Sequence, residues 1–207
     1  MKQLLNKLFQ KELDPLKEIL AFHQIDGWLS EEEAIALYKT ANSLKRNAKI
    51  IEIGSWKGKS TYCLTKGLKS GIVYAIDPFD ASGDVESEKT YRSKLNNKTL
   101  FEEFNEKMTE LGVINKIQVR KGYSFDFISD FSDESIDFLF IDGDHSIEGT
   151  KFDFENYFPK LKKGGFLAFH DYKEIRDIGP TWVVNNCLLG KVKFKSLNDS
   201  LWLGVKL

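Results

Sequence analysis

Residues 50–60 read IIEIGSWKGKS, and this stretch decides the fold. The run before Gly54 is short and rich in β-branched side chains, which favours a buried strand. A helix is expected to begin near Gly58. Glycines between a strand and a helix let backbone N–H groups approach a ligand, and the helix N-terminus attracts a negative group. The stretch therefore predicts the first strand of an α/β sheet with a ligand-binding loop at its end.

Further short apolar runs repeat this pattern, and helix-length segments separate them. These runs are residues 72–76, 117–119, 138–141 and 166–169. Strands that alternate with helices build a parallel sheet with right-handed crossovers. Residues 191–197 and 201–205 alternate in hydrophobicity around a polar turn, which predicts an antiparallel hairpin. We therefore predict an α/β fold, a doubly wound, Rossmann-like three-layer sandwich with a mostly parallel seven-stranded sheet and a C-terminal antiparallel hairpin.

The chain before the first strand is predicted to be helical. Residues 1–22 carry apolar side chains at helical spacing, interrupted by charges, and are interpreted as two short amphipathic helices. Ser30 and Glu33 have the spacing of a capping box, which predicts a helix over residues 31–44. The expected division is residues 1–46 as a helical segment packed on the core and residues 47–207 as the ligand-binding domain.

Charge and composition restrict the class of partner. The chain has 207 residues, with 30 Lys and Arg against 31 Asp and Glu, and a formal net charge of −1. No overall field draws it to nucleic acid or to a membrane surface, so a small-molecule partner is expected. Cys63 and Cys187 are too few and too far apart for a disulfide framework, which favours a cytoplasmic location. The sequence has no pattern typical of a signal peptide or membrane span.

Three classes of ligand compete for the glycine loop. A dinucleotide site needs the spacing G-x-G-x-x-G, whereas this loop has G-x-x-x-G and no third glycine. A phosphate loop needs four residues between its glycines, although Gly58-Lys59-Ser60 resembles its ending. Only Ser55, Trp56 and Lys57 lie between Gly54 and Gly58. A carboxylate at position 52 would also repel a triphosphate. The glycine spacing therefore disfavours a dinucleotide, and the spacing together with Glu52 disfavours a nucleoside triphosphate.

S-adenosylmethionine satisfies the whole pattern. Its methionine end offers an ammonium group to a carboxylate such as Glu52 and a carboxylate to a helix N-terminus. Its ribose offers two hydroxyls to a second acidic residue about 20 residues further along. Asp77 ends the second predicted strand, 23 residues after Gly54. The alternative, which the sequence leaves open, is that the two glycines only allow close packing and that Asp77 caps a turn before Pro78.

The loop is similar to the first motif of class I methyltransferases, particularly the catechol O-methyltransferase-like branch with the form E-x-G-x-x-x-G-x-S. The resemblance implies that loop residues surround the methionine part of the cofactor and that Asp77 binds its ribose. It also implies that residues 122–124 contact the adenine. The predicted cofactor-binding residues are Glu52, Gly54, Ser55, Trp56, Gly58, Ser60, Asp77, Gly122, Tyr123, Ser124 and Asp142.

Two later motifs strengthen the resemblance. Residues 140–150 read FIDGDHSIEGT and residues 161–172 read LKKGGFLAFHDY. Both are similar to motifs of a small bacterial family of class I methyltransferases, as is GWLS at residues 27–30. The resemblance extends over about residues 27–172, and residues 47–207 are therefore expected to form the methyltransferase domain.

Acidic and imidazole side chains follow the fourth and fifth predicted strands. Asp142 and His145 come after the fourth strand, and His170 and Asp171 come after the fifth, so they are expected to meet at one edge of the sheet. Methyl transfer needs an aligned acceptor oxygen and a group that manages its proton, which a base or a metal can supply. The predicted catalytic residues are Asp142, His145 and His170.

A divalent cation, Mg or Mn, is compatible with this set of side chains. Asp142 and Asp171 match metal ligands of the catechol-like branch. Tyr172 stands where that branch has an asparagine ligand, so the sequence does not identify the third ligand. The alternative for His145 and His170 is a hydrogen bond to backbone or carboxylate groups in their loops.

The sequence therefore predicts an S-adenosylmethionine-dependent methyltransferase. Related bacterial enzymes act on hydroxyls of sugars or natural products, which implies O-methylation of a small molecule, with N-methylation left open. The polar residues 81–98 are predicted to form a surface loop or mobile lid that selects this acceptor. Two other classes are kept as alternatives, a non-catalytic S-adenosylmethionine-binding module and a P-loop-like nucleotide-binding protein. A homodimer contact through the helical N-terminus is also left open.

Overall fold

The computed structural model describes residues 14–82, 87–95, 97–175 and 178–207 of the chain. Within these ranges seven strands form one sheet, and helices pack against both of its faces. The strands are β1 (Ala48–Ile53), β2 (Gly71–Asp77), β3 (Ile117–Lys121), β4 (Ile136–Ile141), β5 (Leu161–Phe169), β6 (Val192–Asn198) and β7 (Leu201–Lys206). The helices are α1 (Pro15–Glu18), α2 (Glu31–Ser43), α3 (Lys59–Gly67), α4 (Ser87–Ser93), α5 (Leu100–Glu110), α6 (Ile147–Tyr157) and α7 (Gly179–Cys187).

The strand order explains where a ligand can bind. The order is β3-β2-β1-β4-β5-β7-β6. The pairs among β1 to β5 are all parallel, and β7 pairs antiparallel with both β5 and β6. The order reverses between β1 and β4, and doubly wound sheets bind ligands beyond the carboxyl ends of the strands at such a point. The predicted doubly wound sheet and its closing antiparallel hairpin are confirmed.

Successive residues of the central strands are buried in two different cores. Ile50 and Phe138 pack in a core with residues of α2, α3 and α5, whereas Ile51 and Leu139 pack with residues of α6 and α7. Each of these four side chains has 0% exposure. Because side chains alternate across a strand, a run that is apolar throughout buries both faces of the sheet. This is why the short apolar runs produce a three-layer sandwich.

A capping box begins helix α2, as the sequence predicts. The Ser30 hydroxyl accepts a hydrogen bond from the Glu33 backbone N–H at 3.3 Å, and the Glu33 carboxylate accepts one from the Ser30 N–H at 2.8 Å. Thr99 and Glu102 form the same arrangement at the start of α5. These reciprocal bonds satisfy N–H groups that the first helical turn leaves without partners.

Two predictions about the helices differ from the structure. The segment predicted as a loop at residues 81–98 contains helix α4, so that prediction is wrong in part, and residues 83–86 and 96 lie outside the described ranges. The Tyr91 ring in α4 packs 5.1 Å from that of Trp56, a tertiary contact that local polarity does not reveal. Of the two helices predicted for residues 1–22, the first falls largely on residues 1–13, which are outside the described ranges.

In the described ranges, no helix has both the length and the apolar character that a membrane crossing requires. Cys63 and Cys187 are both free thiols, in agreement with the absence of a disulfide framework.

Candidate active site

A cavity of about 1240 Å³ lies at the carboxyl edge of the sheet. The loop after β1, residues 122–125 after β3 and residues 142–149 after β4 line it, and residues 27–29 before α2 close one side. Most of the predicted site residues share this cavity, although their contacts with a cofactor remain predictions. Those that line it are Gly54, Ser55, Trp56, Ser60, Asp77, Gly122, Tyr123, Ser124, Asp142, His145, His170 and Asp171.

Asp77, the last residue of β2, holds the glycine loop in place. Its Oδ2 accepts hydrogen bonds from the backbone N–H groups of Ser55 and Trp56 at 2.9 and 2.8 Å, and its Oδ1 accepts one from Phe79 at 2.6 Å. Burial raises the pKa of Asp77 to about 6 despite these three donors. Two loop N–H groups that a phosphate would need are therefore bound to a carboxylate. This arrangement argues against a phosphate-binding loop.

Glu52 lies behind the loop and does not line the cavity. Its side chain is fully buried, and its carboxylate accepts hydrogen bonds from the hydroxyls of Ser55, Ser60 and Thr61. Burial raises the pKa of Glu52 to about 7, and the nearby Asp142 charge contributes in the same direction. Three hydroxyls therefore contact its oxygens behind the cavity wall, and its predicted contact with the cofactor ammonium stays a prediction. Its carboxylate orients Ser55 and Ser60, which do line the cavity.

The two glycines of the loop are required by the packing of the protein itself. A Cβ atom at Gly54, whose φ is +87°, would lie 2.0 Å from the Asp142 carbonyl oxygen. A Cβ atom at Gly58, whose φ is +90°, would lie 2.7 Å from the side chain of Met108. Gly58 does not line the cavity, and its N–H donates to the Ser55 carbonyl, so its predicted contact with a cofactor is not supported.

Four residues other than glycine in the loops after β1, β2 and β5 have a left-handed backbone conformation. Trp56, Phe79, Ala81 and Asp171 have φ angles between 49° and 60°, a region in which residues other than glycine are uncommon. Such conformations persist only where the surrounding structure enforces them, and they cluster at ligand sites. Within the described residues, the indole Nε1 of Trp56 is buried and has no hydrogen-bond partner. The loop therefore offers a donor that a bound ligand could satisfy.

Residues after β3 form the opposite end of the cavity. The Ser124 hydroxyl donates to Asp153 Oδ1 at 2.5 Å, and the Tyr123 hydroxyl donates to Asp80 Oδ2 at 3.0 Å. The Tyr123 and Phe125 rings stack at 5.3 Å and leave about half of each side chain exposed. Burial raises the pKa of Asp153 to about 7, and the Asp144 charge adds to the effect. This end combines flat apolar surfaces with hydrogen-bonding groups, as an adenine would require.

A compact cluster of Asp142, His170 and Asp171 lies at the carboxyl ends of β4 and β5. The His170 Nδ1 lies 3.1 Å from Asp142 Oδ1 and 3.1 Å from Asp171 Oδ2. One donor atom from each of the three residues lies within 4.8 Å of the others. Burial raises the pKa of Asp171, but the two neighbouring histidines outweigh that effect and hold it below its usual value. The cluster has the donor atoms of a divalent-cation site.

Glu33 on helix α2 contacts the other side of the His170 ring. Its Oε2 lies 3.2 Å from His170 Nε2, and its Oε1 accepts hydrogen bonds from the Ser200 N–H at 3.1 Å and hydroxyl at 2.7 Å. Burial lowers the pKa of His170, but Asp142, Asp171 and Glu33 raise it well above its usual value. Burial raises the pKa of Glu33, but its contacts with His170, Ser30 and Ser200 lower it to about 2.

His145 borders the cluster on the cavity side. Its Nε2 lies 3.6 Å from Asp142 Oδ1 and 3.5 Å from Asp171 Oδ2. Burial lowers the pKa of His145, but these two carboxylates raise it above its usual value. Tyr172, the position where the sequence lacks the expected asparagine ligand, packs away from the cluster in the second core, and its hydroxyl lies 3.5 Å from Asn185 Oδ1. The third donor atom comes instead from His170, which precedes Asp171.

Comparison with known sequences now identifies the family. A sequence profile described as a methyltransferase domain matches residues 51–172, which is more than half of the chain. The chain belongs to this methyltransferase family. The matched residues of the methyltransferase contain the glycine loop, Asp77 and all three members of the cluster.

Relatives of this methyltransferase agree with its fold. An uncharacterized protein of Acanthamoeba polyphaga mimivirus is 31% identical over 130 residues, which are 61% of this chain and 52% of the viral protein. The chain thus spans about half the length of that relative. The O-methyltransferase TomG from Streptomyces achromogenes, which is involved in tomaymycin synthesis and was solved with S-adenosylmethionine, is 18% identical with a TM-score of 0.63. That match covers 98% of this chain and 93% of TomG.

A methyltransferase from Geobacter sulfurreducens is 16% identical with a TM-score of 0.63, and the match covers 100% of this chain and 94% of that one. At these identities the similarity establishes the fold. The methyltransferase therefore has the class I, S-adenosylmethionine-dependent methyltransferase fold that its motifs predict.

Several residues at the site were not among those predicted from the sequence. Glu33 was recognised only as a capping residue, and the spacing of the capping box gives no sign of its contact with His170. Asp153 lies on a helix whose pattern predicts only an amphipathic element. Trp28 belongs to the GWLS segment, and the resemblance of this segment to a family motif was the one sequence signal that could have placed Trp28 at the site. Its ring lies 5.9 Å from that of Trp56 and 5.4 Å from that of Tyr91.

Proposed function

We propose that the chain transfers a methyl group from S-adenosylmethionine to a hydroxyl oxygen of a small molecule. One observation supports this most strongly: a glycine loop for the cofactor and a cluster of two carboxylates and an imidazole line the same cavity. The family membership supports methyl transfer, and the O-methyltransferase TomG supports an oxygen acceptor. A non-catalytic binding module would have no evident need for the cluster.

Residues of the loop and of β2 fit the proposed cofactor. Ser55, Ser60 and Trp56 line the cavity where we propose that the methionine part binds, and the N-terminus of α3 favours its carboxylate. Asp77 is half-buried at the end of β2 and lines the cavity, where we propose that it accepts from the ribose hydroxyls in addition to holding the loop. We propose that Gly122, Tyr123 and Ser124 bind the adenine.

The donor set of Asp142, His170 and Asp171 fits a divalent cation such as Mg or Mn. Two carboxylates that converge without a cation would repel each other, and here an imidazole nitrogen faces both of them. When bound, such a cation would polarise the acceptor hydroxyl and make it easier to deprotonate. The side chains themselves would orient the acceptor at the edge of the sheet beside the cofactor loop.

His145 is the better candidate for the group that receives the acceptor proton. It lies on the cavity wall beside both carboxylates. His170 is less suited to this task because its two ring nitrogens both face carboxylates within 3.2 Å and only 4% of the residue is exposed. We therefore propose His145 as the proton acceptor and His170 as a member of the cation-binding set.

Aromatic rings on the cavity wall favour an acceptor that contains a ring. Trp28, Trp56 and Tyr91 form a group of three rings with centroids 5.1 to 5.9 Å apart, and 47% of Trp28 is exposed. Such faces bind the apolar sides of sugar rings and of aromatic natural products through stacking contacts. We therefore propose a sugar or natural product with a ring near the methylated hydroxyl.

Ligand-dependent thermal unfolding tests the cofactor assignment. S-adenosylmethionine at about 100 times its Kd should stabilise the fold by about 2.7 kcal/mol, which raises the Tm of a chain this size by about 5 to 10 °C. ATP with magnesium should produce no comparable shift. Stabilisation by ATP but not by S-adenosylmethionine would refute the proposal and favour a nucleotide-binding protein.

A further inference from the structure

We propose that Glu33 is a positioning residue for the cation site: its carboxylate fixes the His170 ring so that Nδ1 faces Asp142 and Asp171. This inference rests on the proposed function, since it assumes that these three residues bind a divalent cation. Helix α2 thereby contributes to a cation site whose three ligands all come from the loops after β4 and β5.

The contacts of Glu33 define a fixed orientation for the imidazole. Its Oε2 lies 3.2 Å from His170 Nε2, on the side of the ring opposite the nitrogen that faces the two aspartates. Its Oε1 is held by the N–H and hydroxyl of Ser200 in the turn between β6 and β7. One oxygen of the carboxylate is thus anchored by the turn between β6 and β7, while the other oxygen meets the ring.

A second capping box in the chain shows whether capping requires a buried glutamate. Glu102 occupies the same capping-box position in α5 and is exposed, so capping alone does not require a buried carboxylate. Glu33 performs the same capping task but is only 2% exposed and also reaches His170. Burying a carboxylate is costly unless its partners compensate. The contact with His170 therefore accounts for a feature that helix capping leaves unexplained.

A carboxylate behind a metal-binding imidazole has a known physical effect. It accepts the hydrogen of the nitrogen that does not bind the metal, fixes the tautomer and raises the basicity of the other nitrogen. Loss of such a partner typically weakens metal binding about 10-fold to 100-fold. With Glu33 beside Nε2, the lone pair of Nδ1 is directed to the side where Asp142 and Asp171 converge.

Manganese binding to the full chain, followed by electron paramagnetic resonance of free Mn²⁺, tests this inference without a catalytic assay. Glu33→Gln should weaken Mn²⁺ binding by at least about 10-fold. A matched control, Glu102→Gln, alters the exposed carboxylate of the other capping box and should stay within about twofold of the wild type. Equal affinity of Glu33→Gln and wild type would overturn the inference and leave the proposed cation site intact. No Mn²⁺ binding by the wild type would overturn both.

A measurement on the wild type keeps the inference testable if Glu33→Gln fails to fold. The chain has three histidines, so ¹⁵N spectra of their rings are simple to assign. With saturating Mg²⁺, His170 should carry its proton on Nε2 and none on Nδ1. A proton on Nδ1, with Nε2 unprotonated, would overturn the inference.

Discussion

Replacement of Asp153 by asparagine should stabilise the protein, and the gain should increase with pH. Asp153 is 4% exposed and its Oδ1 accepts a hydrogen bond from the Ser124 hydroxyl, which the asparagine oxygen can also accept. Burial raises the pKa of Asp153 from 3.8 to about 7, so the folded protein prefers the neutral side chain. Asparagine has a similar shape and is neutral at every pH.

The size of the stability difference follows from the pH range in which Asp153 is protonated in the folded state but ionised in the unfolded state. A raised carboxyl pKa contributes stability at low pH, and that stability is lost as the pH rises from the unfolded value of 3.8 towards about 7. Each pH unit in this range corresponds to about 1.4 kcal/mol. Between pH 5 and pH 8 the wild type should therefore lose about 3 kcal/mol relative to Asp153→Asn. For a chain of this length, this equals a difference in Tm of about 6 to 12 °C.

Thermal unfolding of both proteins without cofactor, at several pH values from 5 to 8, measures this difference. Glu155→Gln is a matched control, because it removes an exposed carboxylate from the same helix, where substitutions change stability by less than about 0.5 kcal/mol. A Tm difference between Asp153→Asn and wild type that stays constant over this range would refute the reasoning. So would a variant that is less stable than the wild type at pH 8.

Three further predictions concern the cavity. Asp77→Ala should weaken S-adenosylmethionine binding, measured by calorimetry, at least about tenfold, because charge-assisted hydrogen bonds are each worth about 1.5 to 3 kcal/mol. Unchanged affinity in a folded variant would show that Asp77 only supports the loop. Asp142→Ala and Asp171→Ala should each abolish methyl transfer, and Asp171→Ala should leave cofactor affinity within about threefold of the wild type. A chelator should also abolish transfer and added Mg²⁺ or Mn²⁺ should restore it, whereas full activity in excess chelator would exclude the cation. Gly54→Ala should lower the Tm by at least about 5 °C, because its Cβ would lie 2.0 Å from a carbonyl oxygen of the neighbouring loop, and an unchanged Tm would contradict that contact.

The sheet could be predicted because its signals are local. Each strand is a short apolar run, and alternation of strands with helices leaves few topologies open. The capping box at Ser30 and Glu33 could be predicted for the same reason, since both of its hydrogen bonds join residues three apart. The gathering of Asp142, His170 and Asp171 followed from the rule that parallel strands end at one edge of the sheet.

The directions of individual side chains could not be predicted in this way. Glu52 was expected at the cofactor, but inside the folded chain three hydroxyls surround its carboxylate, one of them nine residues further along. The contact between Glu33 and His170 joins residues 137 positions apart, so no local pattern records it. Helix α4 within residues 81–98 is stabilised by ring contacts with distant residues, and a tertiary contact of this kind overrides local composition.

The end of β5 shows how a small backbone feature assembles the cluster. Successive side chains of a regular strand point to opposite faces of the sheet, so His170 and Asp171 would be expected to diverge. His170 nevertheless contacts Asp142, and Asp171 contacts both His170 and His145. Asp171, the second residue after β5, has a φ of +57°. Aspartate is one of the few residues other than glycine that enters this left-handed region at modest cost. Asp171 thus supplies a carboxylate oxygen to the cluster and, through its left-handed backbone, the turn that places this oxygen beside His170. The alternation of side chains along a strand does not predict such a turn.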